Sequence, residues 1–79
     1  MKKRTGIAEE LRRMLSSGRR RQGLTQSDAG KLLGVTQEMI SSRERNVLRV
    51  KLKDLIPMLT AYGVELRIGD MTFGGTSDD

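Results

Sequence analysis

Residues 23–46, GLTQSDAGKLLGVTQEMISSRERN, carry three helix boundaries within twelve residues, and no other stretch restricts the fold as tightly. Thr25 offers a hydroxyl to the orphan backbone donors of a helix start, and Asp28, three residues on, completes a capping-box-like pair. Gly34 ends that helix, Val35 spans the turn, and Thr36 caps a second helix beginning Gln37-Glu38. The pattern predicts two short helices at a sharp angle, about Gln26–Leu33 and Gln37–Glu44. The first should bury Ala29, Leu32 and Leu33. The second should bury Ile40, with Met39 beside it, and leave Gln37, Glu38, Ser41 and Ser42 outside. Gly30, inside the first of the pair, costs about 1 kcal/mol relative to alanine, which a close helix–helix approach would explain.

What flanks this pair is short. Seventy-nine residues make one domain, and a core of that size is expected to supply only about 3–5 kcal/mol, so a dimer is expected on size alone. Upstream, Ile7, Leu11, Met14 and Leu15 recur at i, i+4, i+7 and i+8, the spacing of a helix with one buried stripe. Downstream, Leu52, Leu55, Ile56, Leu59 and Tyr62 mark a further helix, ended by Gly63. Pro57 interrupts that pattern, so a start near Lys53 or Asp54, or a kink at Pro57, is expected. Between them, residues 45–51 form a basic loop. Val64-Glu65-Leu66-Arg67-Ile68 then alternates with period two, the pattern of a strand with one buried face. A lone strand leaves its edges unpaired. Within the chain only Met71-Thr72-Phe73 can meet it, so pairing with the same strand of a second subunit is the simpler expectation.

The domain plan is therefore a basic arm at 1–5, a helical domain at 6–63, a dimerisation strand at 64–73 and a disordered tail at 74–79. The fold class is all-α, a small helix-turn-helix bundle of four to five helices, with a short C-terminal β-strand (Val64, Leu66 and Ile68 on its apolar face) pairing across a homodimer.

Charge and composition narrow the function. The net charge is +5, and it is graded. Residues 1–24 hold eight Lys/Arg against two Glu, residues 25–50 four against three acidic residues, and residues 51–79 three against five. A basic end beside the helix pair suits a polyanion. No Cys or His is present, which removes disulfides, zinc fingers and imidazole catalysts, and no cofactor or metal is expected. The ten carboxylates pair with no recognisable catalytic or metal-ligand cluster, so the chain is not expected to be an enzyme. Only Tyr62 and Phe73 are aromatic, too few for a stacking platform on single strands. The first helix lacks the aromatic anchor and broad apolar face of a membrane-surface helix. No apolar run approaches the roughly 18 residues of a span, and the cytoplasm is the expected location. Duplex DNA remains the best partner. Gln can pair bidentately with adenine, Glu accepts from cytosine, and Ser serves several bases.

Gly23-Leu24-Thr25-Gln26, Gly34-Val35-Thr36-Gln37, Ile40-Ser41 and Glu44 resemble the helix-turn-helix of the phage-repressor or Xre family, over about residues 11–62. The resemblance implies base readout by Gln37, Glu38, Ser41 and Ser42. It places Gln26, Thr36, Arg43, Arg45, Asn46, Arg49 and Lys51 at the DNA backbone, on an inverted-repeat operator. It also implies an internal salt bridge between Arg19 and Glu44. Gly18 and Ala29 stand where the family usually has larger aliphatics, and Arg43 where a nonpolar side chain commonly closes the core. Such gaps forfeit about 2–5 kcal/mol each unless refilled, with Met14, Met39 and Met58 as candidates or the dimer as substitute. Leu55–Ile68 further resembles the C-terminal part of HipB-type antitoxins. That implies a repressor of its own operon that also neutralises a toxin protein, a HipA-like kinase or another toxin. A solitary repressor and a protein-interaction module that binds no DNA are the alternatives.

Overall fold

The computed structural model describes residues 6–75, so the expected basic arm at 1–5 and the end of the expected tail, 76–79, lie outside the described residues. Four helices are present: α1 (Ile7–Arg21), α2 (Gln26–Leu33), α3 (Gln37–Arg45) and α4 (Leu52–Tyr62). A 3-10 turn at Val47–Arg49 sits inside the segment expected to be loop, and strands β1 (Glu65–Ile68) and β2 (Met71–Gly74) end the described chain. None of these helices is long and apolar enough to cross a membrane.

The core is built from Leu15, Ala29, Ile40, Val47, Leu55, Met58, Leu59, Tyr62 and Val64. In α4 the buried stripe is Leu55, Met58, Leu59 and Tyr62, while Leu52 is exposed and Ile56 half-buried. Pro57 lies inside α4 on its exposed side, and the helix begins at Leu52, slightly earlier than expected. In α1 the inward face is rotated from the expected one: Leu11 packs against the core, Leu15, Gly18 and Arg19 are buried, and Ile7 and Met14 are exposed. The reason is Arg19. Counted as polar, it hides the true i, i+4, i+7, i+8 stripe of Leu11, Leu15, Gly18 and Arg19, and its charge is neutralised inside the fold.

The gap expected at Gly18 is filled, though not by methionine. A Cβ built on Gly18 would lie 2.4 Å from Val64 Cγ2 and 2.9 Å from the Tyr62 carbonyl oxygen, so the end of α4 and the start of the hairpin occupy that space. Of the three candidate methionines only Met58 is buried; Met14 and Met39 are exposed. Ala29 is fully buried, and α2 turns Ala29, Gly30 and Leu33 inward, which leaves Leu32 61% exposed rather than buried. Gly30 explains the close approach. A Cβ there would sit 2.7 Å from the Val35 carbonyl, so the contact is with the backbone of the turn rather than with a helix face.

The C-terminal strand differs most from expectation. β1 pairs antiparallel with β2 of the same chain, Leu66 opposite Phe73 and Ile68 opposite Met71, around a two-residue Gly69-Asp70 turn. Val64 precedes the strand and belongs to the core, at 6% exposure, so it is not a strand residue facing a partner. Gly74 closes β2 instead of opening the tail, and Gly75 is buried. Gly74 has φ +75°, and a Cβ there would lie 2.4 Å from Leu59 Cβ and 2.7 Å from the Val64 carbonyl; only glycine lets the hairpin close against α4.

Candidate nucleic-acid interface

The α2–turn–α3 unit is set by its caps. Thr25 Oγ1 accepts from the Asp28 N–H at 3.0 Å, and the Thr25 N–H donates to Asp28 Oδ2 at 2.9 Å, a complete capping box. The Thr25 backbone N–H, and then its hydroxyl, hold the Asp28 carboxyl below its ordinary pKa. Gly34 takes the left-handed conformation, φ 75°, that ends α2. Thr36 Oγ1 then accepts from the Met39 N–H at 3.1 Å and starts α3. This bond uses the Thr36 oxygen as acceptor and leaves its hydroxyl proton available as a donor.

Ile40, fully buried, anchors α3 and turns its polar side outward. Gln37, Glu38 and Ser42 are exposed, Gln37 and Glu38 in the first turn of the helix. Ser41 is half-buried, and its hydroxyl accepts from Arg45 Nη1 at 3.0 Å, so Ser41 and Arg45 act as a coupled pair. Gln26, the first residue of α2, is half-buried. Asn46 uses its side-chain amide to donate to the Ser42 carbonyl at 3.1 Å, closing the C-terminal end of α3.

Beyond that end lies a cavity of about 370 Å³, lined by Ser42, Arg43, Asn46, Arg49, Lys51 and Asp54 among others. Arg43 is half-buried at its wall and outside the apolar core, so this departure from the nonpolar residue common in the family puts no cation in the core. Arg45, Arg49 and Lys51 are exposed. Three cations, Arg43, Arg49 and Lys51, face the one carboxylate of Asp54 there, so the lining carries net positive charge. Among the described residues no group of three or more acidic, His or Cys side chains forms a metal site.

The orientation of α3 is held from behind. Arg19 Nε donates to Glu44 Oε2 at 2.8 Å and Arg19 Nη2 to Glu44 Oε1 at 3.2 Å, a bidentate pair with side chains 8% and 5% exposed. Arg19 Nη1 also donates to the Leu24 carbonyl at 3.0 Å. The hydrogen bond and charge of Glu44 raise the Arg19 pKa further, against the opposing effect of burial. Tyr62, from α4, completes the cluster by donating its hydroxyl to Glu44 Oε2 at 2.8 Å. Burial, then the bond to Glu44, pushes the Tyr62 phenol well above its ordinary range. Tyr62 was expected only as an apolar stripe residue. The available signal was its hydroxyl, because a buried tyrosine nearly always finds a partner for it.

Of the expected residues, Gln37, Glu38 and Ser42 are exposed on α3, and Ser42, Arg43, Asn46, Arg49 and Lys51 line the cavity at its far end; Gln26 and Thr36 sit at the two helix starts, and Arg45 is tied to Ser41. Leu66 is half-buried and Ile68 exposed on the hairpin, assigned to a separate part of the fold from both. No curated protein and no solved structure shows a significant match to the chain. The family model described as helix-turn-helix matches residues 15–68, well over half of the sequence and inclusive of both capped helices, the Arg19–Glu44 pair and α4. The chain belongs to the helix-turn-helix family and is a DNA-binding regulator.

Proposed function

We propose that the protein is a homodimeric repressor that recognises an inverted-repeat operator in duplex DNA by inserting α3 into the major groove of each half-site. The observation that carries this reading is the exposure of Gln37, Glu38 and Ser42 on the outer face of a doubly capped α3 whose inner face is pinned by Ile40 and Glu44. Short polar side chains on a fixed helix suit base edges, whereas the basic cavity of Arg43, Arg49 and Lys51 suits the phosphates that set the register. Gln26 and Thr36 at the two helix starts would add backbone contacts, as would Arg45 and Asn46. Two heads would read half-sites about 10 bp apart or a multiple of it.

The narrower reading, an antitoxin that binds a toxin protein and represses its own operon, is supported by the resemblance of Leu55–Ile68 to HipB-type antitoxins. A toxin-like kinase or ribonuclease encoded beside this chain, and a stable complex of the two on co-expression, would establish it. Absence of both leaves the solitary repressor.

A gel-shift series across rising salt tests the DNA reading. Sequence-selective binding whose log affinity falls linearly with log salt is expected, and Arg49→Ala and Arg43→Leu should each weaken all sequences alike and lower the salt slope by about 1. Binding with no sequence preference, or slopes unchanged in both variants, would remove those assignments.

A further inference from the structure

Arg45 closes α3, and its place around the helix differs from that of Arg43, two residues before it. At about 3.6 residues per turn, Arg45 lies about 20° from Glu38 and about 60° from Ser42 around the axis, whereas Arg43 lies about 140° from Glu38. Ile40 and Glu44, both buried, mark the inner side of the helix. Arg45 therefore shares the exposed face that holds Glu38 and Ser42, while Arg43 stands at its flank, on the wall of the basic cavity.

The Arg45 head group also reaches back toward the readout end. Side chains on a helix lean toward its N-terminus, and Arg45 Nη1 donates to Ser41 Oγ at 3.0 Å, one turn earlier. The guanidinium thus sits at the level of Ser41, about 4.5 Å along the axis from Glu38 rather than the roughly 10 Å that separates the two backbones. Among the described residues no carboxylate pairs with it, and no acceptor takes its Nε or Nη2 donors. An exposed bond between residues four apart adds little to stability. Its larger effect is to hold a side chain with many rotamers in one place.

We propose that Arg45 reads a guanine in the major groove, its Nε and Nη2 donating to O6 and N7, and that Ser41 is a positioning residue that aims it. This rests on the insertion of α3 proposed above. It replaces the backbone contact that the resemblance implies for Arg45 and the base contact that it implies for Ser41. Ser41 is half-buried, and its oxygen is already engaged by Arg45. The free edge of the planar guanidinium, by contrast, matches the paired acceptors of guanine, the commonest specific contact in duplex recognition. A phosphate would accept the same donors, but phosphates flank the groove, and the cations set toward a flank are those of the cavity, Arg43, Arg49 and Lys51.

Selection of bound duplexes from a randomised library tests this with Arg45→Ala, Arg45→Lys, Ser41→Ala and Ser41→Thr beside the parent. The parent repeat should contain a G·C pair in each half-site whose guanine preference falls about tenfold or more in Arg45→Ala, with the other positions unchanged. Arg45→Lys should keep the parent's salt slope and still lose most of that preference, because an ammonium is a point charge that cannot form the paired contact. Ser41→Ala should relax the same base pair, with no further effect in an Arg45→Ala background, and Ser41→Thr, which keeps the hydroxyl, should retain the preference. Melting midpoints of all four should stay near the parent's, since neither side chain belongs to the core. Equal weakening of all sequences in Arg45→Ala, with an unchanged profile in both Arg45 variants, would make Arg45 a phosphate contact and overturn the proposal while base reading by α3 stands. A Ser41→Ala profile relaxed at a different base pair, additive with Arg45→Ala, would make Ser41 a reader itself and overturn its positioning role. A parent that enriches no sequence overturns base reading by α3 and this proposal together.

Discussion

Replacing Glu44 with alanine should abolish the folded state at 25 °C or lower its melting midpoint by at least about 12 °C. The carboxylate is the shared acceptor of Arg19 and Tyr62, and both Arg19 and Glu44 side chains are almost fully buried. Removing one partner of a buried ion pair leaves an uncompensated charge, which costs about 3–5 kcal/mol. Here the orphan is a guanidinium retaining only the Leu24 carbonyl. That cost is as large as the stability expected of a core this small. At about 4–8 °C per kcal/mol for a domain of this size, even its lower end is a large shift. Glu44→Gln, which keeps the volume and one acceptor oxygen, should lose less. Circular-dichroism melts of the three proteins at one fixed concentration decide the matter. A midpoint for Glu44→Ala within a few degrees of the parent would mean that the pair contributes little and that α3 is held by packing alone.

Gly18→Leu restores the kind of residue the family usually carries and should nonetheless destabilise the protein by about 3 kcal/mol. Helix propensity alone points the other way, since glycine in a helix interior costs about 0.8–1 kcal/mol against better formers. Packing decides the sign. The first carbon of the new side chain would already overlap Val64 and press on the backbone carbonyl of Tyr62, and a carbonyl oxygen in a packed helix end has little room to yield. Relief by moving α1 would carry Arg19, the next residue, away from Glu44. Urea midpoints measure the effect, and Gly18→Ala combined with Val64→Ala should recover part of the loss seen in Gly18→Ala. A Gly18→Leu protein at least as stable as the parent would show that the α1–α4 contact adjusts freely.

How far the sequence predicts each element depends on whether the determining forces are local. The caps Thr25 and Thr36 and the stop Gly34 act within one turn of their own residues, and the helix pair follows directly from them. The inward face of α1 depends on a pair 25 residues apart, because Arg19 is buried only when Glu44 neutralises it, so periodicity alone selects Ile7 and Met14 wrongly. Gly18 reads as a hole until the hairpin start is seen lying in it. The strand pattern at 64–68 and its in-chain candidate Met71-Thr72-Phe73 are both local and visible; what residue pattern alone underweights is that Gly69-Asp70 makes a two-residue turn that closes this pairing within the chain. At the interface, residue types suggest chemistry, whereas the Arg45–Ser41 bond and the cavity around Arg43 depend on helix geometry.

If the outer face of α3 reads base edges, Gln37 shows it most directly, because it is exposed, lies in the first helical turn and is not part of the buried cluster. The measurement is selection of bound duplexes from a randomised library by the parent protein and by Gln37→Ala at the same salt. An inverted repeat is expected for the parent, and for the variant the same repeat with preference relaxed at one base pair per half-site, at a cost of about 1–3 kcal/mol. Identical sequence profiles for the two proteins, or no enriched sequence for the parent, would contradict it.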